Sequence, residues 1–592
     1  MPDAPVRSTS AVPSARTRRR RWPWVVAGVG VVVLLWAVVT AVTLMSARSD
    51  LNEGVDALEQ ARDELSPSDL IEGTGLETLA EAEQAFRDAR DKVRGPFVSP
   101  LRALPVVGRQ IRSVDAMSGA AAGVVSAGST AIDEAQAELD KDPTAEERVG
   151  TMRNLAATAD GAREELAAAD LGPTEALVGP LADARNEFAR ELADAEESLG
   201  KVTSVANALA DLFEGPSRYV LVAANNAEMR GGSGMFLSAG PLEALDGTIE
   251  VGDLVSTADL ALPPGAVPLP GASDLTQRWG FLRPNEEWRN LATTPNFDMT
   301  APLTARMWTA ATGRPVDGVL AVDPVALQAL LAATGPVEVD GEVINEDNVL
   351  GFLYHDQYVD VSYEDPEQSP RRERLGEIAG AVVDALDEGD YDTATFAETL
   401  IDAAEGRHIL AWSSRDAEQE GWLAAGIDGE LEENSVMVSV LNRGANKLDQ
   451  FLSVDADMTI DRAGDSTHVT IRVTLTNETP EGEPVYIAGP HPQIDLATGT
   501  YRGYLSVDVP GMAIDVALDG TSRIVTEGPD GRAWVVAGLV EVPRGEAAEA
   551  VVTFRLPAGA DPMVVEPSAR VPPVGWSAEG ERWSDSSPHR VK

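Results

Sequence analysis

A run of ten residues at 225–234 has the residue types needed to hold an anion, because it combines two asparagines, one arginine and three glycines. Glycines such as Gly231 and Gly232 allow close backbone approach and positive φ, so that clustered N–H groups can form an anion-binding nest. Arg230 adds a planar guanidinium that suits phosphate or carboxylate oxygens. The loop is therefore a candidate site for a phosphate or carboxylate anion, held by Asn225, Asn226, Arg230, Gly231 and Gly232.

Three further arginines could add charge to this site. Arg371, Arg372 and Arg374 fall at the start of a predicted helix, where the first backbone N–H groups also favour an anion. The alternative is a solvated helix face in which Glu373 is their partner. The loop has an ordinary explanation too, since Asn, Gly and Ser are common turn residues and Glu228 with Arg230 could simply tie it down.

Carboxylates near predicted strand ends could bring a cation to the same place. Asp253, Asp259 and Asp323 offer the oxygen ligands that Mg²⁺ prefers. If they converged with the arginines, the site would suit phosphoryl transfer, which proteins catalyse by positioning and charge stabilisation. Mg²⁺ is therefore expected only for such a transferase, and otherwise no cofactor is expected. Asp323 has a sufficient structural role as the cap of a helix that begins at Pro324.

Alternating strands and helices must position these residues. Residues 219–224 form an apolar run of strand length that leads into the polar loop, and 317–322 predicts a second strand. The helix that follows ends at Gly335. The pattern continues through Trp412 and predicts a three-layer α/β domain over residues 214–450.

The strand and loop at 217–230 resemble the signature of the bacterial family "domain of unknown function 4012". They read Ser-Arg-Tyr-Val-Leu-Val-Ala-Ala-Asn-Asn-Ala-Glu-Met-Arg. Segments 316–323 with 334–337, and then 442–449, fit the same family in the same order, so that the resemblance covers roughly residues 100–560. The function of that family is not established.

One departure from the family follows the arginine. Many members continue with Pro-Thr-Gly-Gly, whereas residues 231–234 here are Gly-Gly-Ser-Gly, so the loop backbone is expected to differ. Segment 317–339 is also similar, more weakly, to LytR–CpsA–Psr enzymes, which attach polyprenyl-linked glycopolymers to peptidoglycan and place arginines ahead of a helix. That resemblance implies an alternative function, the transfer of polyprenyl-pyrophosphate-linked glycopolymer to the cell wall.

The N-terminal residues predict where the protein sits. The chain has 47 basic and 96 acidic residues, yet residues 1–47 contain six arginines and one acid. Residues 22–46 carry no ionisable side chain, and about 20 apolar residues suffice to cross a bilayer. The preceding arginines predict a cytoplasmic arm at 1–21 and an extracytoplasmic bulk anchored in the cell membrane. A cleaved signal peptide is the alternative, although its apolar region is usually shorter.

The remaining segments complete a multidomain prediction. Residues 50–213 have helical periodicity and predict an α-helical stalk or bundle. Apolar and polar residues alternate from 451 onward, which predicts an antiparallel β-sandwich over 451–560, and residues 561–592 predict a flexible tail. A net charge of −49 excludes nucleic acid as a partner, and the absence of Cys excludes disulfides.

Together these patterns predict a single-pass envelope protein with a structural or interaction role. Its partners would be the membrane, through the N-terminal helix, and a cell-wall glycopolymer or other envelope proteins.

Overall fold

The computed structural model describes most of the chain, with gaps. The described residues are 22–64, 75–139, 141, 144–361, 369–388, 391, 393–463 and 466–591. The predicted cytoplasmic arm at 1–21 lies outside them.

The N-terminal part of the described chain is helical, as predicted. Its helices are α1 (Trp22–Glu64), α2 (Leu76–Arg94), α3 (Val107–Leu139), α4 (Ala145–Ala167) and α5 (Gly179–Glu214). The chain divides into two compact units. The first contains α1, α2, most of α3 and the first part of α5, and the second contains the rest of these helices and everything that follows.

Helix α1 continues well beyond the predicted span at 22–46. Its segment Leu34–Gln60 is long and apolar enough to cross a membrane, the one helix of this kind among the described residues. Within the first unit α1 packs on α2, where Gly54 lies against the ring of Phe86. A Cβ at residue 54 would come within 2.8 Å of that ring, so the small residue allows the close helix contact.

After its helices the second unit contains an α/β domain, also as predicted. Its strands are β1 (Ser217–Met229), β2 (Gly234–Leu245), β3 (Thr248–Val251), β4 (Val255–Ser256), β5 (Gly318–Val322), β6 (Val337–Val339), β7 (Glu342–Ile344) and β8 (Ile409–Ser413). Its helices are α6 (Phe297–Thr312), α7 (Pro324–Thr334), α8 (Val349–Tyr354), α9 (Ser369–Glu388), α10 (Thr393–Glu405) and α11 (Asp416–Ala424). The main sheet has the order β3-β2-β1-β5-β8, with β4 beside β2, and β1 pairs in parallel with β5.

Strand β1 is buried on both faces. Val220 and Val222 belong to an apolar cluster with residues of α6, whereas Tyr219 and Leu221 pack with Leu212 of α5 on the other face. Side chains of a strand alternate between its two faces, so one apolar run supplies both layers. Helices therefore cover the sheet on each side of its central strand.

Local signals in the sequence explain the end of β5. Asp323 accepts hydrogen bonds from the N–H groups of Val325 and Ala326, and Pro324 takes the first position of α7. This helix ends at Gly335, whose φ is 78°. The predicted cap is thus confirmed, and it fixes Asp323 beside the end of β1.

Two six-stranded sheets form the C-terminal part. Their strands are β9 (Ser435–Asn442), β10 (Leu452–Ala463), β11 (Ser466–Asn477), β12 (Tyr501–Val509), β13 (Ile514–Asp519), β14 (Ile524–Asp530), β15 (Ala533–Val542), β16 (Ala547–Pro557), β17 (Val564–Val565), β18 (Gly575–Ala578), β19 (Glu581–Ser584) and β20 (His589–Arg590). A short helix, α12, spans Val485–Ala488. One sheet has the order β13-β16-β11-β10-β18-β19 and the other β14-β15-β12-β9-β17-β20. Buried side chains of both sheets belong to one apolar cluster.

The structure differs from the prediction at the edges of this region. Strand β9 lies within the predicted α/β range of 214–450 but pairs with β12, so the C-terminal sheets begin at Ser435. The predicted tail at 561–592 contains β17 to β20, which pair into both sheets. Strands of two to four residues are too short for alternation to reveal. The pairs β9–β17 and β10–β18 are parallel, whereas an antiparallel arrangement was predicted.

Candidate functional site

A cleft of about 460 Å³ opens at the end of β1, where residues from several parts of the chain meet. It is lined by segments from the end of β1, from the loop before α6, from the turn after α8 and from the stretch that follows β9. The polar and charged lining residues include Asn225, Glu228, Arg230, Glu287, Arg289, Asn290, Tyr358, Asn442, Arg443, Asn446, Lys447, Tyr486 and His491.

A buried ion pair joins the first sequence motif to the third. Lys447 Nζ donates to Glu228 Oε1, and both side chains are largely removed from solvent. The same ammonium lies 4.2 Å from the ring centroid of Tyr358 and 5.6 Å from that of Tyr486, and the two rings stack. Burial alone would lower the pKa of Lys447, but the Glu228 carboxylate and the two tyrosines outweigh it and raise this pKa. Lys447 therefore keeps its charge.

Arg230 is held by backbone carbonyls rather than by a carboxylate. Its Nε donates to Arg289 O at 2.8 Å, and its Nη1 donates to Met229 O at 2.8 Å and Asn442 O at 3.1 Å. Burial and the neighbouring Arg443 lower the pKa of Arg230 to about 10. It stays cationic at neutral pH while cross-linking three chain segments at the cleft wall.

The glycines after Arg230 serve close packing. A Cβ on Gly231 would lie 2.4 Å from Thr293 O, and one on Gly232 would lie 2.6 Å from Thr294 O. Neither glycine has a positive φ, and the N–H of Gly232 donates to Ala292 O. The prediction that the N–H groups of this turn are free to hold an anion is therefore wrong for Gly232, because its N–H group already donates to Ala292 O.

Most of the predicted polar loop is strand. β1 continues to Met229, with a register irregularity between Asn225 and Met229, and only residues 230–233 make the turn into β2. Asn225 Oδ1 accepts from the N–H of Ala227 and its Nδ2 donates to the hydroxyl of Tyr358 at 3.0 Å. Asn225 thus reaches the cleft from an irregular strand end.

Asn226 points away from the cleft lining and joins distant parts of the second unit. It is fully buried, and its Nδ2 donates to Asp323 Oδ2 and to Ala569 O, both at 2.6 Å. Asp323 Oδ2 also lies 2.6 Å from Nδ1 of His408. Burial alone would lower the pKa of His408, and the Asp323 carboxylate outweighs this and raises it. Asn226 and Asp323 therefore act as structural links.

Asp449, in the third motif, is a buried acceptor for several donors. It accepts from the N–H of Met229 at 3.0 Å, Asn442 Nδ2 at 2.8 Å, the Tyr501 hydroxyl at 2.8 Å and Arg570 Nη1 at 3.0 Å. All three sequence motifs therefore converge at the end of β1. The role of Asp449 was missed in the sequence because three of its four partners, Met229, Tyr501 and Arg570, are distant along the chain.

Two of the other predicted site residues are not brought to the cleft. Asp253 and Asp259 are exposed and lie outside its lining. Among the described residues, no group of three or more His or acidic side chains has the arrangement needed to hold a metal ion. Arg371, Arg372 and Arg374 belong to α9, but their side chains lie outside the described residues.

The cleft is locally basic. Four cations, Arg230, Arg289, Arg443 and Lys447, line it with only two carboxylates. These are Glu228, which pairs with Lys447, and Glu287, whose Oε2 lies 2.8 Å from Arg289 Nη2. Arg443 bonds to a neutral partner, since its Nη1 donates to the Asn290 amide oxygen at 2.9 Å. Arg230 and Arg443 thus remain without a carboxylate partner among the described residues.

A comparison with known protein families gives a match to the first part of the α/β domain. A family model described as "Protein of unknown function (DUF4012)" matches residues 214–358. This range contains β1, the turn after Arg230 and Asp323, and it confirms the predicted resemblance there. No curated protein and no solved structure matches the chain.

Proposed function

We propose that this protein is a single-pass, membrane-anchored envelope protein whose extracytoplasmic part binds an anionic ligand in the cleft at the end of β1. The observation that carries the proposal is the excess of cations over carboxylates in the cleft of a chain whose net charge is −49. An acidic protein has no general reason to collect four cations around one concave surface, so the arrangement supports a specific anion.

The anchoring part of the proposal is supported by α1. Its apolar segment is long enough to span a bilayer, and arginines at 16 and 18–21 precede it in the sequence. Arginines on one side of a span favour the cytoplasmic side. In this arrangement the α/β domain and the C-terminal sheets, which we take to form a β-sandwich, lie outside the membrane.

The lining supports a ligand that carries hydroxyl groups beside its negative charge. Amides of Asn225, Asn290 and Asn446 and the hydroxyl of Tyr358 line the cleft. Burial raises the pKa of Tyr358, which therefore stays a neutral donor or acceptor. Phosphate- or carboxylate-bearing glycans combine both features, so an anionic cell-wall glycopolymer is the ligand class that fits.

Binding is better supported than transfer of a lipid-linked glycopolymer. The transferase alternative uses Arg230 together with Arg371, Arg372 and Arg374 to hold pyrophosphate, and carboxylates such as Asp253 and Asp259 as Mg²⁺ ligands. The side chains of the three arginines of α9 lie outside the described residues. Arg230 is occupied with backbone carbonyls, and the two aspartates lie outside the cleft lining. The contacts therefore favour recognition of the ligand by Arg443, whose guanidinium bonds to a neutral amide, whereas Lys447 is paired with Glu228.

Titration of the full chain in detergent with inorganic pyrophosphate tests the proposal. We expect saturable binding by calorimetry, and we expect Arg443→Gln to weaken it about 10- to 100-fold, since a hydrogen bond to a charged group is worth about 1.5–3 kcal/mol. Arg314→Gln is the control, because Arg314 pairs with Glu243 outside the cleft lining. Equal affinities for both variants, or no binding at millimolar pyrophosphate, would contradict the proposal.

A further inference from the structure

Residues 90–112 of the first unit have a charge opposite to that of the chain as a whole. They contain six basic residues and one acid, Asp91. The basic residues are Arg90, Lys92, Arg94, Arg102, Arg109 and Arg112. The acidic residues already keep the protein surface soluble, so solubility does not explain a local basic segment.

The same segment exposes apolar side chains. Phe97, Leu104, Val106 and Val107 lie at the turn between α2 and α3, and their relative exposures range from 40% for Val107 to 65% for Val106. Single exposed apolar residues are ordinary, but four within eleven positions of one turn make a patch.

Specific contacts fix this turn to α1. Thr40 Oγ1 donates to Phe97 O at 3.1 Å, and Ala47 is buried in a cluster with Val93, Val98 and Ile111. Thr40 and Ala47 both belong to the uncharged stretch at 22–47. The turn is therefore attached to the part of α1 that is suited to lipid.

The two contacts on α1 span a distance similar to the depth of the membrane interface. Ala47 follows Thr40 by seven positions, which is roughly 10 Å along a helix. Interfacial apolar segments insert about 5–10 Å into the boundary between headgroups and acyl chains. Met45 of α1, which is 73% exposed, continues the apolar surface between these two levels.

Part of the basic charge is compensated within the protein. Arg90, Arg94 and Arg102 all lie within 3.3 Å of one carboxylate, that of Asp115. Arg109 and Arg112, by contrast, form no ion pair among the described residues. Asp115 neutralises only part of the charge of its three arginines, and Arg109 and Arg112 have no acidic partner among the described residues. The segment therefore keeps positive charge that an external anion can bind.

We propose that Phe97, Leu104, Val106, Val107, Arg109 and Arg112 form a basic apolar edge that lies in the anionic headgroup layer beside α1. The apolar side chains enter the acyl boundary, and the two arginines contact lipid phosphates. This inference rests on the proposed anchoring by α1. It adds a second lipid contact, which would restrict the tilt of the first unit at the membrane.

Site-directed spin labelling tests the edge directly, because the chain has no Cys and a single introduced Cys is unique. We choose Phe97→Cys and Val106→Cys as edge sites, with the full chain in vesicles of phosphatidylcholine and about one third phosphatidylglycerol. Val38→Cys, within the uncharged stretch of α1 at 22–47, is the lipid reference. Val55→Cys is the water reference, because it lies beyond that stretch, between Glu53 and Asp56. Both side chains are exposed. The readout is the accessibility of each label to oxygen relative to a water-soluble nickel complex.

We expect the edge labels to resemble the label at 38 and to exceed the label at 55 several-fold in oxygen preference. Adding Arg109→Gln and Arg112→Gln should make the label at 106 shallower. Edge labels that behave like the label at 55, with 38 still in lipid, would overturn the inference and leave the anchoring intact. A water-exposed label at 38 would overturn the anchoring itself. Readings that change with the protein-to-lipid ratio would assign the edge to a second copy, against the inference.

Discussion

At the scale of single residues, Asp508 shows how a buried carboxyl can make stability depend on pH. It lies in β12 between β9 and β15, is fully buried, and neither carboxylate oxygen has a hydrogen-bond partner among the described residues. Burial, followed by the nearby charge of Asp530, raises its pKa well above the usual value, although Arg407 opposes the shift.

We predict that Asp508→Asn removes a loss of stability at high pH. A raised pKa means that the folded state holds the proton, so the stability is present below the unfolded pKa of about 4 and is lost as pH rises through the folded value. Asparagine stays neutral, so the variant should exceed the wild type by at least about 1 kcal/mol at pH 8 and match it near pH 4. Thermal unfolding of the full chain across this range measures the difference.

The exposed Asp519→Asn provides the matched control for this pH series. Its shift in melting temperature should be small at every pH, because surface substitutions usually change stability by less than about 0.5 kcal/mol. A difference between wild type and Asp508→Asn that is equal at pH 5 and pH 8 would contradict the prediction.

The sequence revealed only one partner of the buried ion pair at the cleft. Glu228 and Arg230 could be singled out from their motif, and their structural interpretation as ties agrees with the contacts found. The partner of Glu228 is Lys447, which is 219 residues away, and its aromatic neighbour Tyr358 lies in a separate turn. No local sequence pattern indicates such pairs, because they form only when the end of β1 packs against the segment that follows β9.

At the scale of elements, the turn between β1 and β2 depends on small residues for packing rather than for turn geometry. The Cβ that Gly231 lacks would lie 2.4 Å from Thr293 O, a backbone atom that cannot move independently. The Asn- and Gly-rich composition of 225–234 predicted a loop, but backbone pairing with β2 extends the strand to Met229. Composition reveals where a chain can turn, and pairing with the neighbouring strand decides where it does.

We predict that Gly231→Ala destabilises the protein by about 1–3 kcal/mol, the usual cost of forcing atoms into a packed site. Gly351→Ala in α8 is the control, since a Cβ there meets nothing within 4 Å, and alanine is favoured over glycine in a helix by up to about 1 kcal/mol. Melting temperatures of the two full-length variants should therefore move in opposite directions. A Gly231→Ala variant as stable as the wild type would show that the turn can shift away from residues 293–294.

At the scale of the whole molecule, the linear order of segments was predictable and their limits were not. A helical part, an α/β part and a strand-rich part follow one another as the periodicities indicated. The last strands were missed because Val564–Val565 and His589–Arg590 are too short to show alternation, although their pairing completes a sheet. Long periodic segments can be recognised from the sequence, whereas short edge strands form only by pairing with the sheet that they join.

The distribution of charge over the molecule leads to the last prediction. Four cations line the cleft, yet the chain carries −49 overall, so an approaching anion meets repulsion at long range and attraction only at contact. Salt screens the long-range part first, since the Debye length falls from about 30 Å at 0.01 M to about 8 Å at 0.15 M. We therefore expect the association rate of a fluorescent pyrophosphate analogue with the full chain to rise over this range of KCl. Stopped-flow measurement checks this prediction. We expect Arg443→Gln to change the dissociation rate and to leave the salt dependence of the association rate largely as in the wild type. A rate that falls steadily with salt, as for a basic protein surface, would show that the cleft rather than the acidic exterior dominates the field met by the ligand.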